Sequence, residues 1–152
     1  MGLTINETKT RQIDARKEGF NFLGFTIRYD FSIKDIKTKF WNIMPSKKSE
    51  QKIRDKVEEY LKTHGHFNAR AVVAGLNPIL RGWLNYFDIK GISYPAMSKR
   101  RLRFYLYNSL NRYYHRKSQR KCRLYGHNAF EVLTTKFGLI DPTKYAFQSA
   151  HL

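Results

Sequence analysis

From Ile89 to Phe130 the chain carries eleven Lys and Arg and no Asp or Glu across 42 residues. A helix face exposed only to water usually mixes both signs, so a block of one sign implies an anionic partner. Tyr105, Tyr107, Tyr113, Tyr114 and Tyr125 are interleaved with these cations. Such rings either pack a core or stack on unpaired bases, and guanidinium groups beside them can bracket phosphates. The candidate phosphate contacts are Arg100, Arg101, Arg103, Arg112, Arg116, Lys117, Arg120 and Lys121, with Tyr114 as the stacking ring. Arg81, beside Gly82 and Trp83, is a further candidate, with an equal competing reading as a residue that only locks packing.

Reactive constellations are missing by comparison. Two-metal phosphoryl chemistry needs converging carboxylates, yet the twelve acidic residues are scattered and no Asp-Asp pair occurs. Glu58 and Glu59 are neighbours on a predicted helix, so their side chains point about 100° apart. His64 and His66 form the one close histidine pair, and His115, His127 and His151 stand apart. A lone pair in a polar loop is not a metal site. Cys122 is the single cysteine, which rules out an internal disulfide and metal sites built on cysteine pairs. Arg120, Lys121 and Arg123 surround it and would lower its pKa, but a bystander thiol is the favoured reading. "GHFNARAVVAG" lacks the Lys-Ser or Lys-Thr of a phosphate loop. No metal and no cofactor are expected, and the chemistry left is binding.

The bulk numbers agree. A chain of 152 residues with 41% hydrophobic residues can bury one ordinary core, and a net charge of +17 with pI near 10.1 attracts polyanions. No run approaches the roughly 20 apolar residues of a membrane span. "MGLTINETKTRQID" shows neither an apolar segment nor a cleavage pattern for secretion, so the expected location is the cytoplasm. Nucleic acid is preferred over an anionic membrane, because the basic block has no lipid-facing apolar side.

These side chains must be held by a strand-rich start and a helical remainder. Residues 20–29 alternate apolar and polar with a parity change at Gly24, which predicts one strand kinked by a bulge. Lys39 to Met44 predicts its partner, with residues 30–37 as the turn. Ser46 or Ser49 caps a first helix with Ile53, Val57 and Leu61 inward, ending at Gly65. A second helix starts near Asn68, with Val72, Leu76, Leu80, Trp83 and Phe87 on one stripe and Pro78 as a kink or restart. A third runs from about Pro95 to Arg116, with Leu102, Leu106, Leu110 or Ser109, and Tyr113 inward and Lys99, Arg100, Arg103, Arg112 and Arg116 outward. Asn128 to Phe137 forms a last short helix, and "GLIDPTKY" follows as an irregular segment. The fold class is α+β, mostly α: an aromatic hairpin followed by a helical bundle.

Three stretches, in order, resemble the C-terminal part of bacterial group II intron-encoded reverse transcriptase/maturase proteins. "LTINETKT" with "FNFLGFTI" is similar to the last two reverse-transcriptase blocks, "IMPSKKSEQKI" to the start of the thumb, and "LNPILRGWLNYF" to the signature of the maturase-specific domain. The last is the most specific, with Asn77, Pro78, Arg81, Gly82, Trp83, Asn85, Tyr86 and Phe87 in one window. "AFEVLTTKFGLIDP" is similar to the closing helix of members without an endonuclease domain. The resemblance implies a palm remnant at 1–45, a thumb and maturase-specific helical domain at 46–127 and a short helix with tail at 128–152. It makes Phe22, Gly24, Phe25, Gly82, Trp83, Tyr86 and Phe87 structural. Phe20, Phe22, Leu23 and Phe25 would then support the palm from within a core, Trp83 would be core, and Gly82 would admit a second helix.

The same resemblance implies a partner, group II intron RNA, whose splicing-active fold the protein would stabilise while the RNA supplies the catalysis. A DNA target or an upstream reverse-transcriptase palm chain are further implied partners; a membrane is not. The family's polymerase motif, Tyr-x-Asp-Asp with another upstream Asp, has no counterpart here, so the chain is read as no enzyme. The alternatives are a non-catalytic C-terminal piece of a split or truncated RNA-directed DNA polymerase and a general basic nucleic-acid-binding protein.

Overall fold

The computed structural model describes residues 12, 14–32, 34–64, 67–116 and 128–146. Three strands, β1 (Phe20–Phe22), β2 (Phe25–Phe31) and β3 (Lys39–Pro45), form one antiparallel sheet in sequence order. Four helices follow: α1 (Lys47–His64), α2 (Ala69–Phe87), α3 (Ala96–Arg116) and α4 (Ala129–Lys136). The chain is α+β and mostly helical.

The parity change at Gly24 marks a reversal of the chain rather than a bulge. Leu23 and Gly24 have φ of 51° and 85°, and Phe22 pairs with Phe25 across them. Two successive positive φ values in a two-residue loop are what a type I′ hairpin turn requires. A turn and a bulge both shift apolar parity by one, so the alternation alone did not separate them. Since cross-strand partners share a face, Phe25, Ile27, Tyr29 and Phe31 lie with Pro45, Ile43, Trp41 and Lys39. Only the Phe25 end of that face reaches the helices. Phe22 is 59% exposed, Leu23, Phe31 and Trp41 are exposed, and Phe20 is half-buried, so of the expected aromatic support only Phe25 belongs to the core.

Helix starts follow side-chain chemistry. Ser46 Oγ accepts from Ser49 N at 3.1 Å, Asn68 Oδ1 from Ala71 N at 2.9 Å and Asn128 Oδ1 from Glu131 N at 3.2 Å, each satisfying an otherwise orphaned amide. Pro78 sits inside α2 without ending it. The core joins Ile53, Val57 and Leu61 of α1, Val72, Val73, Leu76 and Leu80 of α2, and Leu102, Leu106, Leu110 and Tyr114 of α3, with α4 closing one side through Phe130 and Leu133. On α3 the buried stripe repeats every four residues and so ends on Tyr114, 3% exposed, while Tyr113 is half-buried. The expectation of Tyr113 inward and Tyr114 available for stacking on a base is therefore reversed.

Buried polar groups cross-link the bundle. Glu50, 8% exposed, accepts from Ser98 Oγ at 2.5 Å and from Arg101 Nη1 at 3.0 Å, tying α1 to α3. Asn77 of α2 donates to Gly138 O at 3.0 Å and accepts from Ile140 N at 2.9 Å, and Asn85 accepts from Tyr145 OH at 2.8 Å. The segment after α4 is thus docked along α2, with Leu139 and Pro142 buried.

At Gly75 α1 and α2 leave no room for a side chain: a Cβ there would lie 1.8 Å from Tyr60 Oη and 2.2 Å from its Cζ. The Tyr60 ring is fixed by its bond to Ala71 O and by stacking on His64. Gly75→Ala is expected to lower unfolding free energy by about 1–3 kcal/mol in urea, as overpacking does, and to cost less in a Tyr60→Leu background. Equal cost in both backgrounds would show that Tyr60 is not the obstacle.

Candidate nucleic-acid interface

Two aromatic motifs, separated by some sixty positions, meet at the hairpin turn. Tyr86 OH donates to Leu23 O at 2.6 Å. Ser49 Oγ donates to Gly24 O at 2.7 Å, and Ser46 N donates to the same carbonyl at 2.9 Å. Phe25 stacks on Tyr86 with ring centroids 5.6 Å apart and meets Phe87 edge-on at 4.9 Å. Trp83, half-buried rather than part of the central stripe, donates its indole N–H to Ser49 O at 3.2 Å. Phe25, Trp83, Tyr86 and Phe87 therefore join sheet, α1 and α2. Phe22 does not join them, and Gly82 has nothing within 4 Å of where a Cβ would stand, so no helix among the described residues approaches it.

Acidic partners sort the candidate cations. Arg101 is bound to Glu50, and Arg103 Nε lies 3.1 Å from Asp141 with its guanidinium over the Phe130 ring at 5.2 Å. Lys99 is paired with Asp88 and largely buried, against its expected outward position, because Asp88 at the end of α2 neutralises it. Arg81, Arg100, Arg112 and Arg116 are exposed and make no ion pair among the described residues. Lys117, Arg120 and Lys121 lie outside the described residues, as do Cys122 and Tyr125. The outer face of α3 is not purely basic: Phe104 is 69% exposed, and Tyr107 and Met97 are exposed with it.

Two of the grooves among the described residues flank the bundle. One, of about 570 Å³, lies under the hairpin turn, with Leu23, Gly82 and Tyr86 on its walls and Lys52 and Lys56 at its edge. The two lysines, one turn apart on α1, were readable as a basic pair but were not singled out from the sequence. The second, of about 700 Å³, runs between Glu58 and Lys62 of α1 and Tyr105, Arg112, Tyr113 and Arg116 of α3. Burial holds the Tyr113 phenol above its ordinary pKa, so it stays neutral at physiological pH. Among the described residues no three His, Cys, Asp or Glu side chains converge as a metal site, and no helix is long and apolar enough to cross a membrane.

The sequence model of one family, the group II intron maturase-specific domain, matches residues 50–128, over half of the chain, and the chain belongs to that family. It carries the C-terminal, maturase-specific portion of a group II intron reverse transcriptase/maturase. Comparison with curated proteins gives no match. The matched span covers α1 to α3 and ends on Asn128, the cap of α4, so both grooves draw most of their walls from it.

Three expectations follow. Gly24→Ala places a Cβ at φ +85°, 3.0 Å from Ser49 Oγ and 3.4 Å from Phe87 Cζ, and should cost about 1–2 kcal/mol of stability by urea unfolding. Tyr86→Phe, which loses one hydrogen bond, should cost about 1 kcal/mol. Burial alone would raise the pKa of Asp141, but bonds from Thr143 and Arg103 outweigh it and hold the carboxyl below its ordinary value. The native state then binds its proton less readily than the unfolded chain, so this stabilisation is present above about pH 4 and lost as pH falls through the native value. Asp141→Asn should flatten the acid limb of the stability–pH curve; an unchanged limb would assign acid unfolding elsewhere.

Proposed function

We propose that this chain binds structured group II intron RNA in the cytoplasm and stabilises its splicing-active fold, contributing no polymerase chemistry of its own. The observation that carries the reading is the division among the arginines: Arg81, Arg100, Arg112 and Arg116 are exposed and without an ion pair among the described residues, on a chain of net charge +17. Fixed guanidinium groups on rigid helices bracket the phosphates of a folded RNA, and family membership supplies the class of RNA. The absence of an Asp-Asp pair from the sequence supports a binding role, with the RNA as catalyst. A DNA target would engage the same cations.

A second reading, a non-catalytic C-terminal piece of a split reverse transcriptase, is favoured by one feature. The far end of the sheet presents Phe31 and Trp41 to solvent, with Tyr29 packed on Trp41 at 4.9 Å, and an exposed aromatic face of this kind suits an apolar protein surface such as a palm.

Binding to intron RNA and to a length-matched duplex, titrated between 50 and 200 mM salt, tests the first reading against a general basic protein. If about 6 to 10 phosphates are contacted, affinity should fall by roughly 10³- to 10⁵-fold over that range, with the intron bound more tightly than the duplex throughout. Arg81→Gln with Arg100→Gln should reduce the slope of log affinity against log salt by about 1.4–1.8. Equal binding of both RNAs at every salt concentration would leave only a general basic nucleic-acid-binding protein.

A further inference from the structure

The α1–α3 groove combines three chemistries that the phosphate-binding role leaves unexplained. Arg112 and Arg116 stand on its α3 side, one turn apart, without a carboxylate partner among the described residues. Facing them on α1 is Glu58, which would repel a bare phosphate. Its Oε1 is paired with Lys62 Nζ at 3.0 Å, an i,i+4 contact that uses one of the carboxylate's roughly four lone-pair sites and leaves acceptor capacity on both oxygens for two further donors. The rings are a fixed wall: Tyr105 OH donates to Arg54 O at 3.1 Å, the Arg54 guanidinium lies 5.7 Å from that ring, and Tyr113 is half-buried against Tyr114. At about 700 Å³ the groove falls in the range of roughly 300–1,000 Å³ typical of small-ligand sites.

A ligand for this arrangement carries an anion at one end, a flat ring in the middle and hydrogen-bond donors at the other end. A carboxylate accepts and cannot donate. Among the bases, guanine presents two adjacent N–H donors on its Watson–Crick edge. Adenine and cytosine place an acceptor beside their amino group, and uracil sets its one donor between two carbonyls. In a duplex that edge is already paired, so the base must be unpaired.

Resting on the RNA-binding reading above, we propose that the α1–α3 groove takes one unpaired guanine nucleotide of the bound RNA, with its phosphate on Arg112 and Arg116 and the donor edge of its base on Glu58. Tyr113 supplies the ring surface against which the base lies.

The test uses the full chain and single-stranded RNA octamers, oligo-U and its variants with one central G, A or C, in fluorescence anisotropy between 50 and 200 mM salt. The G octamer should bind about tenfold more tightly than each of the others, the lower end of discrimination by a paired set of base contacts. Glu58→Gln removes a negative charge, so affinity for oligo-U should hold or rise while the G-to-U ratio falls toward one. Arg112→Gln with Arg116→Gln should weaken all four octamers and lower the salt slope by about 1.4. Circular dichroism and thermal melting establish that each variant is folded. Equal binding of the four octamers, or a guanine preference that survives Glu58→Gln, overturns the groove assignment. Running intron RNA and duplex beside them separates the two claims: if the intron is still preferred while the octamers are equal, the groove inference fails alone. If intron and duplex bind equally, the intron-recognition reading fails, whatever the octamers show.

Discussion

Two backbone carbonyls at the tip of a hairpin decide how the sheet sits on the helices. Leu23 and Gly24 turn the chain with positive φ, which directs their C=O groups away from the strand ladder and leaves them needing donors. Tyr86 takes one, and Ser46 and Ser49 share the other. Because Ser46 also caps α1 and Ser49 also accepts from Trp83, one cluster fixes the start of α1, the end of α2 and the tip of the sheet. The aromatic packing of Phe25 with Tyr86 and Phe87 fills the space beneath those bonds. The hairpin thus holds position through its turn more than through its strands.

Acid placement has a comparable influence on the surface. With twelve acidic and twenty-nine basic residues, most cations must go unpaired, and the positions of the few carboxylates select which ones. Glu50, Asp88 and Asp141 each take a cation from the first two turns of α3, so Lys99, Arg101 and Arg103 serve the bundle. Arg112 and Arg116, farther along the same helix, meet no such acid and border the groove that contains Glu58. Net charge alone describes attraction to a polyanion; this sorting shows where a particular contact can form.

Much of this was legible in the sequence, for identifiable reasons. Helix starts at Ser46, Asn68 and Asn128 were visible because capping is a local bond between a side chain and an amide three residues on. The order of strand and helix segments followed from apolar period. The misassignments arise where two local patterns share one signature: a bulge and a two-residue turn shift parity alike, and Tyr113 and Tyr114 compete for the same place at the end of a long helix whose stripe drifts. Which arginines are neutralised could not be read, since Asp141 lies 38 positions from Arg103 and Glu50 lies 51 from Arg101. The α1–α3 groove is of the same kind, a meeting of side chains from helices distant in sequence. The exposure of Gly82 went unforeseen as well, because a glycine in an apolar stripe has the same letter whether or not a neighbour covers it.

The Tyr86–Leu23 bond spans 63 positions, and those between Asn77 and Ile140 and between Asn85 and Tyr145 span 63 and 60. The hairpin turn and the segment after α4 are therefore both anchored on α2, which lies midway along the sequence. On a ribosome the hairpin emerges long before the helix that secures its turn, and for that interval its aromatic face has no helix to pack on. A growing chain of this kind meets its hazard early, since bare aromatic strands are the segments most prone to join strands of other molecules. Lys34 and Lys37 between β2 and β3, and Lys39 at the start of β3, put like charges beside this pair of strands in every copy of the chain and so oppose such pairing while α2 is still being made.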